Sequence, residues 1–275
     1  MKWLQAIRQH IPSHKYAINN RLLGDDAELA WSNLGYWDDA KSSYPAACQK
    51  LAFHLAESIQ LTSTDRVLDL GCGQGASLVF WMEHFQIQNL SAVELQTACV
   101  EKIQKNLNSK IKIQQDSFLN LKNIYPQNAM DAVLCIDAAY HSDLNLLLLS
   151  VVDVLNSKGR FAFHYLMLSD AFLNLNSLQR LKYQSLLKAA DVNLKNLNSK
   201  QNLQYQVQQA GLEYIQIEDI SEFVFQGFAD YIQEQQRQMS LSHVDQFKIK
   251  MTAKLCEKLY RDGLIRYVQI SARKP

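Results

Sequence analysis

The stretch Arg66-Val67-Leu68-Asp69-Leu70-Gly71-Cys72-Gly73-Gln74-Gly75-Ala76-Ser77 constrains the fold of this chain more than any other. It sets three of the chain's nine glycines within five residues, between a short β-rich run and a segment with helical apolar spacing. A glycine-rich turn in that context has a physical purpose. Gly71 permits the tight turn, and Gly73 lets the backbone approach a ligand with no Cβ in the way. The helix that starts near Ala76 aims its free N–H groups at the same space. Glu94 ends the next β-rich run, 25 residues after Asp69, where a carboxylate can accept hydrogen bonds from both hydroxyls of a ribose. These features predict a nucleoside cofactor.

The surrounding chain supplies the sheet that such a loop needs. Candidate strands are Val67–Leu70, Leu90–Glu94, Ile111–Gln114, Ala132–Ile136 and Arg160–Tyr165, with helical spacing over Ser77–Phe85, Ala98–Asn108 and Asp143–Leu155. Two more, Tyr214–Ile217 and Leu264–Ile270, bring the expected sheet to seven strands. The rhythm predicts an α/β fold, a doubly wound and mostly parallel Rossmann-like sheet with helices on both faces. Residues 1–62 read as a helical cap segment, broken at Pro12 and around Asn33-Leu34-Gly35-Tyr36-Trp37. Residues 63–168 form the cofactor-binding core. Residues 169–275 complete the sheet and carry helical insertions over about 170–212 and Ser221–Asp262. The helical pieces are expected to cap the C-terminal edge of the sheet, where open α/β folds bind ligands.

Composition narrows the partners. A net charge of +1 gives no basic stripe for nucleic acid and no field for an anionic membrane. The longest apolar run, Leu144 to Val152, is too short to span a bilayer, and the N-terminus lacks the apolar stretch of a signal peptide. Five scattered cysteines show no metal-ligand spacing, so reduced thiols in a cytoplasmic protein and no metal are expected. Nothing in the chain sets an oligomeric state.

The loop alone admits two cofactors. Gly71, Gly73 and Ala76 satisfy the dinucleotide spacing, which keeps an NAD(P)-dependent oxidoreductase open. Asp69 pulls the other way, because a carboxylate inside the turn opposes a pyrophosphate and suits an ammonium; Gly75 opens the loop one step further. The VLDLGCGxG reading at Val67–Gly75 resembles the first motif of class I S-adenosylmethionine (SAM)-dependent methyltransferases. The likeness runs over roughly residues 50–168. It implies that Asp69, Gly71, Cys72, Gly73 and Gly75 line the cofactor loop, Cys72 as a small filler. It further implies that Glu94 and Leu95 meet the ribose, that Asp116, Ser117 and Phe118 meet the adenine, and that Asp137 ends the fourth strand at the cofactor. Val154–Arg160 looks like the family's turn before the fifth strand, with Lys158 in place of its first glycine. Asn33–Trp37 is similar to the LGYW element of small-molecule methyltransferases of the tocopherol, sterol and cyclopropane-fatty-acid type, as is the C-terminal strand.

That resemblance implies methyl transfer to an O, N or C nucleophile of a small molecule. The enzyme must align the nucleophile, exclude water and, for a hydroxyl or acidic carbon, remove a proton. His141, on the turn after the fourth strand, is the candidate base, since an imidazole titrates near neutrality. It also reads as a residue that only caps the following helix or holds its loop. Tyr140 and Tyr36 are expected to line the acceptor pocket, and Trp37 to touch the cofactor or to anchor the N-terminal segment. His164 reads as a satisfied core histidine, and Phe223, Phe225, Phe228 and Tyr231 as the apolar face of a cap helix. A non-catalytic SAM-binding protein is the remaining alternative.

Overall fold

A computed structural model describes residues 20–39, 41–107, 110–238 and 244–275. Its strands are β1 (Arg66–Leu70), β2 (Asn89–Glu94), β3 (Lys112–Gln115), β4 (Met130–Cys135), β5 (Leu155–Leu168), β6 (Asn198–Ser199), β7 (Glu213–Asp219) and β8 (Ile265–Arg273). They form one sheet in the order β3-β2-β1-β4-β5-β8-β7, and two-residue β6 pairs beside the end of β5. The ladders from β3 through β5 are parallel, while β8 runs antiparallel to both β5 and β7. The expected mixed, mostly parallel sheet is present, with β6 as an eighth strand. The order reverses between β1 and β4, so the C-terminal ends of β1, β2 and β4 face one crevice.

The helices flank that sheet: α1 (Tyr44–Glu57), α2 (Ala76–Glu83), α3 (Thr97–Leu107), α4 (Leu121–Ile124), α5 (Leu144–Val154), α6 (Asp170–Leu173), α7 (Ser177–Ala189), α8 (Lys200–Gln209), α9 (Gly227–Gln238) and α10 (Val244–Asp262). The side chain of Ser43 caps α1 by accepting from the Ala46 N–H, and Pro45 sits in its first turn. Asp143 caps α5 in the same way, accepting from the Leu146 N–H. Strand β5 is much longer than Arg160–Tyr165. It starts at Leu155 and passes through Lys158, which takes the left-handed φ of +66° that a glycine would adopt more cheaply.

One expectation is corrected outside the sheet. A short 3-10 helix spans Asn20–Leu23, but the expected break at Asn33–Trp37 widens into an irregular strap over residues 25–39, and α-helix begins at α1. The strap spends its backbone donors elsewhere: Trp31 N–H donates to Asp25 at 2.7 Å, Tyr36 N–H to the Ala47 carbonyl at 2.8 Å, and Trp37 N–H to the Phe223 carbonyl at 3.0 Å. With those partners fixed, no i→i−4 ladder can form. Pro12 and the rest of residues 1–19 lie outside the described residues. The segment expected to be helical over Ser221–Asp262 is so among its described residues, as a π-helical turn at Glu222–Gln226 followed by α9 and α10. The aromatic face has the expected use: Phe225 and Phe228 are buried, Phe223 stacks on Tyr36 at 4.6 Å, and Tyr231 stacks on Trp37 at 4.3 Å.

His164 is a correction of another kind. It is fully buried on β5, yet neither ring nitrogen has a hydrogen-bond partner, although Gln269 lies across from it on β8. Burial pulls its imidazole down to about 3, so the ring is neutral. It is a core histidine whose nearest polar partner, Gln269, stands off good hydrogen-bond geometry.

Candidate active site

The crevice is built first from the loop after β1. Gly71, Gly73 and Gly75 have φ of +69°, +54° and +93°, a left-handed run that L side chains rarely adopt. Gly71 prolongs the ladder by donating to the Val93 carbonyl at 2.8 Å. A Cβ on Gly71 would stand 2.8 Å from the Ala138 methyl, and one on Gly75 would stand 2.7 Å from Ile103. The loop therefore packs against the β4 turn on one side and α3 on the other. Above Gly73 lies the strap, with Ser32 Oγ 3.1 Å from where a Cβ would be.

Two carboxylates flank the loop in different states. Glu94, at the end of β2, accepts from the Gly73 N–H at 2.9 Å and from the Gln96 N–H at 2.8 Å. Asp69 is buried, and its Oδ2 accepts from the Trp81 indole N–H at 2.7 Å; the Ser77 hydroxyl lies beside the carboxylate, but Oδ1 has no partner at good hydrogen-bond geometry. Burial raises its carboxyl to about 6. An unpartnered acceptor beside a bare glycine backbone fits a cationic ammonium, and the Glu94 carboxylate one strand away fits ribose hydroxyls. A SAM-shaped ligand suits this donor and acceptor set.

The other expected cofactor residues lie around the same edge. The Asp116 N–H donates to the Glu94 carbonyl at 3.2 Å, which brings the turn after β3 beside the end of β2. Asp116 Oδ1 also accepts from Asn120 at 3.0 Å, and Ser117 Oγ accepts from the Leu119 N–H at 3.2 Å, so both side chains hold the turn itself. Phe118 approaches the glycine loop, its ring 3.8 Å from the Gly71 Cβ position. Leu95 is largely exposed, and Cys72 is buried inside the loop, its thiol raised by burial and so unreactive.

The acceptor side is assembled from further apart. Asp137 follows β4 with a φ of +54°, and both of its carboxylate oxygens are engaged by the protein. Tyr140 is nearly buried, its hydroxyl donating to Asp137 at 3.1 Å. His141 is exposed, and its Nδ1 lies 3.1 Å from the Asp191 carbonyl. Since a carbonyl can only accept, the neutral ring that makes this contact is the tautomer with its proton on Nδ1, which presents Nε2 as an acceptor. Asp143, not His141, caps the next helix. Tyr36 is sandwiched between His54 and Phe223, and the Trp37 indole donates to the Leu34 carbonyl at 2.7 Å.

Sequence reasoning did not single out Ser32, Tyr267 or Gly227. Tyr267 reaches Asp137 from the last strand, 130 residues away, and no local pattern announces that contact. Gly227 did leave a signal, a lone glycine in the aromatic run Phe223–Phe228. A Cβ there would collide with the Trp37 Cβ.

Known proteins identify the fold and the chemistry. Residues 67–159 match the family model of the methyltransferase domain. The chain is 23% identical over 249 residues to the 27-O-demethylrifamycin SV methyltransferase of Amycolatopsis mediterranei, covering 88% of this chain and 89% of that protein. It is 30% identical over 139 residues to the erythromycin 3''-O-methyltransferase of Saccharopolyspora erythraea, covering 47% and 45%. The fold matches that of geranyl diphosphate C-methyltransferase from Streptomyces coelicolor with a TM-score of 0.72 at 17% identity, over 100% of this chain and 99% of that one. The chain is a SAM-dependent methyltransferase of class I. Within that class it belongs to the small-molecule branch, and the oxidoreductase reading gives way. Among the described residues, no helix is long and apolar enough to cross a membrane.

Proposed function

We propose that this enzyme methylates a hydroxyl oxygen of a small molecule, with His141 as the base. SAM supplies an electrophilic methyl group on a sulfonium. The chain's own residues do the rest. Asp69, Gly71, Cys72, Gly73 and Gly75 hold the amino-acid end of the cofactor, Glu94 and Leu95 the ribose, and Asp116, Ser117 and Phe118 the adenine. Tyr36, Trp37 and Tyr140 enclose the acceptor side, and enclosure excludes water. The His141 tautomer fixed by the Asp191 carbonyl leaves Nε2 free to take the acceptor's proton. A hydroxyl is one acceptor that needs such a base, and of the two curated relatives above one is named an O-methyltransferase and the other takes, by its name, a 27-O-demethyl substrate. The exclusively reduced thiols and near-neutral charge fit a cytoplasmic enzyme acting without nucleic acid.

The observation that carries the cofactor assignment is the Glu94 carboxylate against the Gly73 amide, 2.9 Å away, at the end of the second strand. Titration calorimetry with S-adenosylhomocysteine tests it. Wild type should bind, and Glu94→Gln should bind about tenfold more weakly or worse, as loss of charge-assisted hydrogen bonds requires. Equal affinity in the variant would remove Glu94 from the cofactor site. Transfer of a labelled methyl group from SAM across a panel of hydroxyl, amine and carbon acids then decides the acceptor class.

A further inference from the structure

Three donors from distant parts of the chain converge on one carboxylate. The Leu34 N–H of the strap donates to Asp137 Oδ2 at 3.2 Å. The hydroxyls of Tyr140, on the turn, and Tyr267, on β8, both donate to Oδ1, at 3.1 Å and 2.5 Å. All three are neutral donors, and their hydrogen bonds oppose the burial that raises this carboxyl. Asp137 itself is held in the left-handed region, at φ +54°. A strained backbone kept by three elements at once is a place where geometry has been over-determined.

What these elements carry gives the convergence its meaning. The strap covers the glycine loop at one end, where Ser32 overlies Gly73, and enters the cap at the other, where Trp37 binds the Phe223 carbonyl and packs on Gly227. The turn carries His141. β8 closes the sheet behind them and donates Tyr267.

We propose that Asp137 is a positioning residue: it ties the strap, the Tyr140–His141 turn and β8 into one frame and so sets the spacing between the glycine loop and the base. It acts through the strap and the turn. The proposal rests on the methyltransferase reading of the crevice, but its central claim, that one carboxylate orders the strap, is measurable without an acceptor.

Asparagine is the informative replacement. It keeps the shape but offers one acceptor and one donor, so either the Leu34 N–H or the two phenols must face an N–H. Tyr267→Phe removes the shortest of the three bonds without altering the strap or the turn. Hydrogen exchange by mass spectrometry, on peptides covering residues 30–38 and 136–142 of the full chain, reads the frame directly. In both Asp137→Asn and Tyr267→Phe, exchange in these peptides should accelerate about tenfold or more, while peptides from β1 and β2 keep wild-type rates. Arg66→Ala, at the opposite end of β1, should leave both peptides unchanged. S-adenosylhomocysteine should bind both variants several-fold more weakly by calorimetry, because the strap overlies Gly73.

Wild-type exchange in the strap of both variants would overturn the proposal. So would uniform acceleration in every peptide of Tyr267→Phe, since that marks a general loss of stability. Failure of the wild-type protein to bind S-adenosylhomocysteine would overturn the methyltransferase reading instead, and it would be seen in a different measurement.

Discussion

On the β3-β2-β1 side of the crevice, the residues that meet are neighbours along successive strands. Glu94 reaches Gly73 across 21 residues, and Asp116 reaches the end of β2 by its own backbone N–H. On the β4-β5-β8 side they are strangers. Leu34 meets Asp137 across 103 residues, and Tyr267 meets it across 130. The first side is held by backbone ladders and left-handed glycines, and the second by side-chain hydrogen bonds onto one carboxylate. A cofactor shared by many enzymes suits the repeating geometry of strand ends. An acceptor particular to one enzyme needs a wall that local motifs do not dictate.

The sharpest way to break this contrast is at Gly71. Gly71→Ala combines a φ of +69° with a Cβ 2.8 Å from Ala138, and both strain the turn. Affinity for S-adenosylhomocysteine should fall by more than about 100-fold, as followed by calorimetry. Tight binding in that variant would show that the cofactor side does not depend on bare backbone. On the acceptor side, His141→Gln should lower kcat about 100-fold while cofactor affinity stays within about twofold. Unchanged turnover would reduce His141 to a loop tether.

Asp69 tests the cost of the cofactor side in the protein alone. Its folded carboxyl is raised to about 6, above the ordinary aspartate value, so its contribution to stability is present at low pH and lost as pH rises through 6. Relative to Asp69→Asn, wild type should lose roughly 2 kcal/mol of unfolding free energy between pH 4.5 and 7.5, by urea denaturation without ligand. Parallel pH profiles in the two proteins would contradict it. The smallest effect belongs to the exposed fork between Arg66 and Asp131, which pins the starts of β1 and β4 at 3.0 and 3.1 Å. Its guanidinium holds Asp131 down to about 2, but solvent screens the pair. Arg66→Ala should cost less than about 1 kcal/mol and leave both sides of the site unaltered.

Legibility in the sequence follows the same division. The strands from β1 to β4 matched their expected positions within about two residues because alternation and glycine turns are local signals. Lys158 hid the start of β5, since a lysine at φ +66° leaves no mark of the turn it makes. The break around Asn33–Trp37 was legible, but not that it extends back to residue 25, where the strap's N–H groups are claimed by Asp25, Ala47, Asp137 and Phe223. Three of those four partners lie at least 10 residues away, beyond any periodicity. His164 escaped for a related reason: burial is visible in a β-rich run, but the absence of a partner for each ring nitrogen is not.

The sequence by itself determined the sheet's parallel core, the left-handed loop and the carboxylate one strand over, because each follows from contacts between residues near in the chain. It also determined the chemistry of that edge, which needs bare backbone and an acceptor pair to hold a charged nucleoside. Only the tertiary structure decided that Asp137 is shared by the strap, the turn and the last strand, and that His141 Nδ1 meets the Asp191 carbonyl. Those outcomes depend on which side chains meet after the sheet has closed. Hydrogen bonds that span 100 residues or more carry no periodic trace in the chain that makes them.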